Sequence, residues 1–128
     1  MSRIDHHAVI RVLHAIAADD PDRVDPRAAT RGCRYVSHGH PQCLAAEVLV
    51  RLGVPVRSVA QLDREQRGRP IELAASKHPA VRSLTGPARE LLDFVQSIQD
   101  GGRTWGDAVA WATDPRSLRT LRWTEAGR

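Results

Sequence analysis

Apolar residues recur at helical spacing along most of this chain. In residues 4 to 18, IDHHAVIRVLHAIAA, the side chains of Ile4, Ala8, Val9, Val12, Leu13 and Ile16 return every three or four positions and so share one face. Asp5, Arg11 and Asp19 fall outside that stripe, and the segment reads as an amphipathic helix stopped by Asp19, Asp20 and Pro21. The Pro-, Asp- and Arg-rich stretch up to Thr30 reads as a surface loop, and residues 31–37 as a short extended piece anchored by Tyr35. Cys43, Leu44, Val48, Leu49 and Leu52 form the next stripe. Pro41 is placed to open that helix, because the first turn leaves unpaired the N–H that proline lacks, and Gly53 is placed to cap its end. A further helix is expected from about Pro55 to Arg64, with Val59 and Leu62 pointing inward.

The pattern weakens in the middle. EQRGRP, residues 65 to 70, reads as a polar turn, and IELAASKHPAV, residues 71 to 81, suits a small strand or a short helix. Ala74 and Ala75 favour a helix broken before Pro79, since the residue ahead of a proline leaves the α region. Thr85 is then an N-cap, with Pro87 tolerated in the first turn and Leu91, Leu92, Val95 and Ile98 at helical spacing up to Gly101-Gly102. Thr104 caps another helix, and Asp107 three residues on makes a variant capping box. Its apolar face is Trp105, Ala108, Val109 and Ala112, with Trp111 at the edge. Asp114-Pro115 repeats the cap-and-proline signal for a last short helix, with Leu118 and Leu121 on one side and Arg116, Arg119 and Arg122 on another. The expected fold class is all-α: one compact domain of five or six short helices with a minor extended segment near 33–37. Residues 1–115 would form the core and 116–128 a basic C-terminal helix or tail packed on it.

Composition agrees with that picture. A chain of 128 residues suits a single core, and 41% hydrophobic with 27% charged residues is globular rather than disordered. With three Trp, one Tyr and one Phe, the core must rest on Leu, Val, Ile and Ala. No apolar run approaches the roughly 18 residues of a membrane span, and the opening MSRIDHHAVI lacks a signal-peptide apolar region, so a cytoplasmic protein with no membrane partner is expected. In a reducing compartment two cysteines are expected as thiols or ligands rather than as a disulfide.

Charge changes the picture only in its distribution. The net charge is +4, from eighteen arginines and one lysine, Lys77, against fifteen carboxylates. An arginine excess can follow from GC-rich coding as readily as from phosphate contacts. Residues 116–128, however, hold four basic and one acidic side chain, so most of the net charge sits in the tail.

Several groups of residues carry candidate chemistry. Cys33, His38, His40 and Cys43 offer two sulfurs and two imidazoles, a donor set that zinc accepts, though C-x4-H-x-H-x2-C departs from the two separated close pairs of common zinc sites. Buried thiols beside exposed imidazoles suit the same residues. At a helix start Cys43 would be favoured as a thiolate, with His38 or His40 as base; as the first member of an apolar stripe it would pack as a small hydrophobe. Arg31, Arg34, His38 and His40 could surround an anion at the same helix start.

The run AEVLVRLGVPVRSVAQLDRE, residues 46–65, fits a helix-turn-helix-like hairpin at 45–64 with Gly53 at the bend and Arg57, Ser58, Gln61 and Arg64 outward as nucleic-acid contacts. Leu49, where close-packed pairs often hold a small residue, and Pro55 in the turn strain the match, and a plain helical hairpin shares the pattern. Arg116, Arg119 and Arg122 with Trp123 could meet a phosphate backbone or an acidic protein surface. No catalytic residue set emerges, and there is no calcium loop, phosphate-binding glycine loop, dinucleotide fingerprint or HExxH. The expected function is a small non-enzymatic binding protein acting on nucleic acid. The alternatives are a protein-interaction or regulatory module, a homodimer included, using Trp105, Trp111 and Trp123, and a thiol enzyme or zinc protein centred on Cys33 to Cys43. No cofactor is expected unless zinc.

Overall fold

In the computed structural model the first helix begins where the carboxylate of Asp5 accepts the N–H of Ala8 at 3.0 Å. The structure describes residues 3–24, 36–37, 40–41, 43–65, 73–74 and 76–120, with the side chains at 36, 37, 40, 41, 63 and 120 left aside. Helix α1 spans His6–Asp19. Ile4, placed in this helix by its apolar spacing, lies ahead of it instead. As N-cap, Asp5 takes an extended backbone, φ −94° and ψ 175°, which leaves Ile4 outside the helix. Ile4 forms a parallel bridge with Leu84: its N–H donates to Ser83 O at 2.8 Å, and its carbonyl accepts from Thr85 N at 2.9 Å.

Two two-residue strands, β1 (Val36–Ser37) and β2 (His40–Pro41), pair antiparallel with Val36 opposite Pro41. The minor extended segment is thus present at 36–37, while 33–35 lie outside the described residues. Pro41 does not open the next helix. Helix α2 spans Leu44–Arg51, and Cys43 is its N-cap, extended at φ −134° and ψ 166° and offering no side-chain hydrogen bond. The helix starts where its first N–H groups find partners, and those partners come from far along the chain. Gln99 Oε1 accepts from Leu44 N at 2.9 Å and Gln96 Oε1 from Ala45 N at 3.0 Å.

Helix α3 covers Val56–Glu65. The helix expected to break before Pro79 is replaced by a 3-10 turn that begins there, Pro79–Val81, with His78 as its N-cap. The proline sits where its missing N–H costs nothing, and His78 Nδ1 accepts from Ala80 N at 3.0 Å. Helix α4 spans Gly86–Asp100, α5 Trp105–Ala112 and α6 Pro115–Thr120. Thr85 and Thr104 are N-caps, accepting from Ala88 N at 3.2 Å and Asp107 N at 3.1 Å. These six helices, with negligible strand, make a compact all-helical domain.

Helices α1 and α4 pack together, and each also packs on α2 and α5. Between these four lie Val9, Leu13, Ile16, Leu44, Val48, Leu49, Leu91, Leu92, Val95 and Trp105, all buried. Each such aliphatic side chain stabilises the fold by about 1.5–3 kcal/mol relative to exposure. The segment after α1 closes the start of α5. Trp105 N donates to Arg23 O and Gly106 N to Pro21 O, both at 2.8 Å, and the Arg23 guanidinium lies 4.1 Å from the Trp105 ring centre. Helix α3 is attached through α2, β1 and the 3-10 turn, whereas α6 rests on α5. No helix among the described residues is long and apolar enough to cross a membrane.

Candidate functional site

The α2–α3 pair is joined by residues 52 to 55, and its turn is closed by two reversed hydrogen bonds. Gly53 N donates to Val50 O and Val54 N to Leu49 O, each at 3.0 Å, with Gly53 at φ +99°. This is the Schellman arrangement, and the left-handed backbone it needs is strained for any residue with a Cβ. Pro55 follows directly, and its carbonyl accepts from Ser58 N at 2.9 Å and Val59 N at 3.2 Å to start α3. The bend is therefore held from both sides.

Val59 and Leu62 are completely buried and fix which face of α3 turns inward. Arg57, Gln61 and Arg64, at positions i, i+4 and i+7, are all exposed on the other face. Neither arginine side chain has an ion pair or hydrogen bond among the described residues. Ser58 stands apart from that row: it is half-buried and lines an open groove of about 340 Å³ with Ile4, Leu52, Val54, Pro55, Pro79 and Ser83. Leu49, the residue that strains a close helix-turn-helix, is completely buried in the main core.

The tail arginines are elsewhere. Arg116 and Arg119 are exposed on α6 and Leu118 is half-buried, packed against the core; Arg122, Leu121 and Trp123 lie outside the described residues. Since α6 rests on α5 and α3 on α2, with α2 and α5 flanking the central α1–α4 pair, the two basic groups occupy separate flanks.

Of the Cys-His cluster, Cys33 and His38 lie outside the described residues, and His40 is known by its backbone in β2. Cys43 is a free thiol, wholly buried in the core cluster. It therefore packs as a small hydrophobe, buried at the N-cap of α2. No group of three or more His, Cys, Asp or Glu side chains is gathered for a metal among the described residues. Arg31 and Arg34 also lie outside them.

Trp105 belongs to the core and not to a tryptophan-bearing surface; it is 1% exposed. Trp111 is 49% exposed, with the Arg103 guanidinium 5.1 Å from its ring centre.

The electrostatics single out one further place. Arg89 Nη1 donates to Ser76 O at 2.9 Å, and Arg3 Nη2 to Leu84 O at 3.0 Å. Burial, and next the Arg3 charge, lower the Arg89 pKa, with Asp93 opposing them. By contrast Arg51 is well matched: its guanidinium meets Asp19 at 2.9 Å and Glu47 at 3.1 Å, and these bonds raise its pKa despite partial desolvation. The basic residues around Ser76 to Leu84 escape a reading built on helical periodicity, because they sit on a segment without it. The signal that finds them is a run of sequence without carboxylates, residues 73–89. No protein-family model, curated protein or solved structure matches the chain.

Proposed function

We propose that the protein binds duplex nucleic acid, DNA in the first instance, by laying the exposed face of α3 in the major groove. The observation that carries this reading is the row Arg57, Gln61, Arg64 on a helix whose other face is pinned by Val59 and Leu62. Seven residues of helix rise about 10.5 Å, so the row can engage neighbouring base pairs or the phosphates beside them. Arg57 and Arg64 suit phosphate oxygens or the paired acceptors of guanine, and Gln61 suits the adenine edge. The closed turn at Gly53 supports the reading by giving α3 a fixed angle to α2. Arg116 and Arg119, on the other flank, are not required for the same contact.

The test is fluorescence anisotropy with a mixed-sequence duplex across a salt series. Binding is expected to weaken steeply as salt rises, by a slope of about 0.9 per phosphate neutralised. Arg57→Ala with Gln61→Ala should weaken it further. Absence of binding at low salt sinks the proposal.

A second reading, a protein-interaction module, draws on Trp111 alone. Its half-exposed ring beside Arg103 is a surface that a partner or a second copy could cover. Sedimentation as a monomer, unchanged by Trp111→Ala, counts against the homodimer form of it.

A further inference from the structure

We infer that Arg3, Lys77, Arg82 and Arg89 form a phosphate-anchoring surface beside α3, which grips the nucleic-acid backbone while α3 meets the groove. The inference rests on the nucleic-acid reading above and adds residues to it.

Residues 73–89 hold Lys77, His78, Arg82 and Arg89 and no carboxylate. The two ends of the segment 76–84 are clasped by cations, Arg89 on Ser76 O and Arg3 on Leu84 O. Both guanidiniums thus use a backbone carbonyl as acceptor, which positions the group without neutralising it. A guanidinium carries five N–H donors, and each of these contacts uses one of them. Arg89 Nε is buried and has no partner among the described residues. Two neighbouring like charges held by neutral acceptors are relieved by an anion, and a phosphate oxygen pair matches the guanidinium fork.

Among the described residues, two carboxylates accept from donors of this stretch, and Asp93 also acts on the Arg89 charge. Asp93 accepts from Leu73 N at 2.6 Å and Ala74 N at 2.9 Å, and Glu65 accepts from Ser76 Oγ at 3.0 Å. Lys77 and Arg82 are exposed and make no ion pair among the described residues.

The surface adjoins the proposed recognition helix. The 3-10 turn packs on α3, and the groove sets Ser58 together with Pro79, Ser83 and Ile4. Arg57, Arg82 and Arg3 are the chain neighbours of Ser58, Ser83 and Ile4, which line that groove. Contacts to phosphate on one side of a recognition helix fix its register without reading sequence.

The test compares wild type, Lys77→Ala/Arg82→Ala and Arg57→Ala/Gln61→Ala by anisotropy on two unrelated duplexes across a salt series, with polyglutamate as a competing acidic polymer. Neither the Lys77 nor the Arg82 side chain makes a hydrogen bond among the described residues, so the first variant should fold as the parent does; adding Arg3→Ala removes a third charge. The expected result is an equal loss of affinity on both duplexes and a salt slope smaller by roughly 0.9 per lost phosphate contact. An unchanged affinity and slope in the Lys77/Arg82 variant, where the α3 variant is weakened, overturns this inference and leaves the α3 reading standing. Failure of the wild type to bind any duplex overturns both, and binding of polyglutamate in preference to DNA assigns the surface to a protein partner and overturns it too.

Discussion

Gln99, near the end of α4, holds the first turn of α2 in place: its Oε1 accepts the N–H of Leu44 at 2.9 Å inside the core, where neither group meets water. Gln96, one turn back, does the same for Ala45. A helix normally meets its first N–H groups with a side chain at its own N-cap. Here Cys43 cannot, and two glutamines some fifty residues away take the task.

Replacing either glutamine by leucine strands a buried donor, which costs about 1–3 kcal/mol. The two are not equivalent. Gln96 Nε2 is itself bonded to Asp100 at 2.9 Å, whereas Gln99 Nε2 is buried without a partner among the described residues. Gln96→Leu should therefore destabilise more than Gln99→Leu. Urea midpoints of the two variants, at unchanged m-value, decide the order.

Gly106→Ala tests the seam between the post-α1 segment and α5. A Cβ there would lie 2.9 Å from Pro21 O, closer than backbone tolerates, so residues 21–23 must move. The expected loss is about 1–3 kcal/mol, as for other overpacked sites. Tryptophan emission should shift with it, because Arg23 lies over the Trp105 ring. An unshifted spectrum together with an unchanged melting temperature would refute the account.

Gly53→Ala should cost about 1 kcal/mol or more from its left-handed backbone, with open space around the added methyl. If the turn sets α3 for binding, affinity for duplex DNA should fall beyond what partial unfolding explains. Binding measured well below the melting range separates the two effects.

Cys43 should be inert to alkylation in the native protein and reactive once unfolded, since it is wholly buried. In a Cys33→Ser background, labelling with iodoacetamide followed by mass spectrometry should track the denaturation curve. Rapid native labelling would restore the reactive-thiol reading.

Acidification should loosen the start of α1 in two steps. Burial, and next the charge of His7, lower the His6 pKa from its usual 6.5. The unfolded chain thus binds the proton more readily, and this contribution, present above pH 6.5, is lost as pH falls towards the folded value. Asp5, whose pKa is lowered chiefly by the hydrogen bond from Ala8, contributes above its unfolded value of 3.8 and loses that contribution as pH falls through the folded one. His6→Gln should flatten the first step in a pH series of melting temperatures and leave the second.

Where the fold depends on neighbours in sequence, the sequence discloses it. Thr85 and Thr104 cap their helices as their positions imply, Gly53 adopts the left-handed turn, and the apolar faces of α1, α4 and α5 are the buried ones. The readings that failed concern distant partners. Pro41 looked like a helix start because nothing local reveals Gln96 and Gln99 waiting at Leu44. Ile4 looked helical because its pairing with Leu84 spans most of the chain. Trp105 lies on the apolar face that the spacing marks and is buried in the core, whereas Trp111, at the edge of that face, is half-exposed. The exposed row on α3 was legible from spacing; the basic segment 76–84 was not, because its residues share a surface through tertiary contact and not through a period.

The bridge between Ile4 and Leu84 also bears on how the chain is made. On the ribosome the first helix emerges with its apolar face complete, but the backbone that receives Ile4 and the helix that covers Val9 and Leu13 are synthesised much later. The early chain must carry part of that face uncovered until α4 and α5 emerge, which invites chaperone engagement at α1 and delays cooperative folding until then.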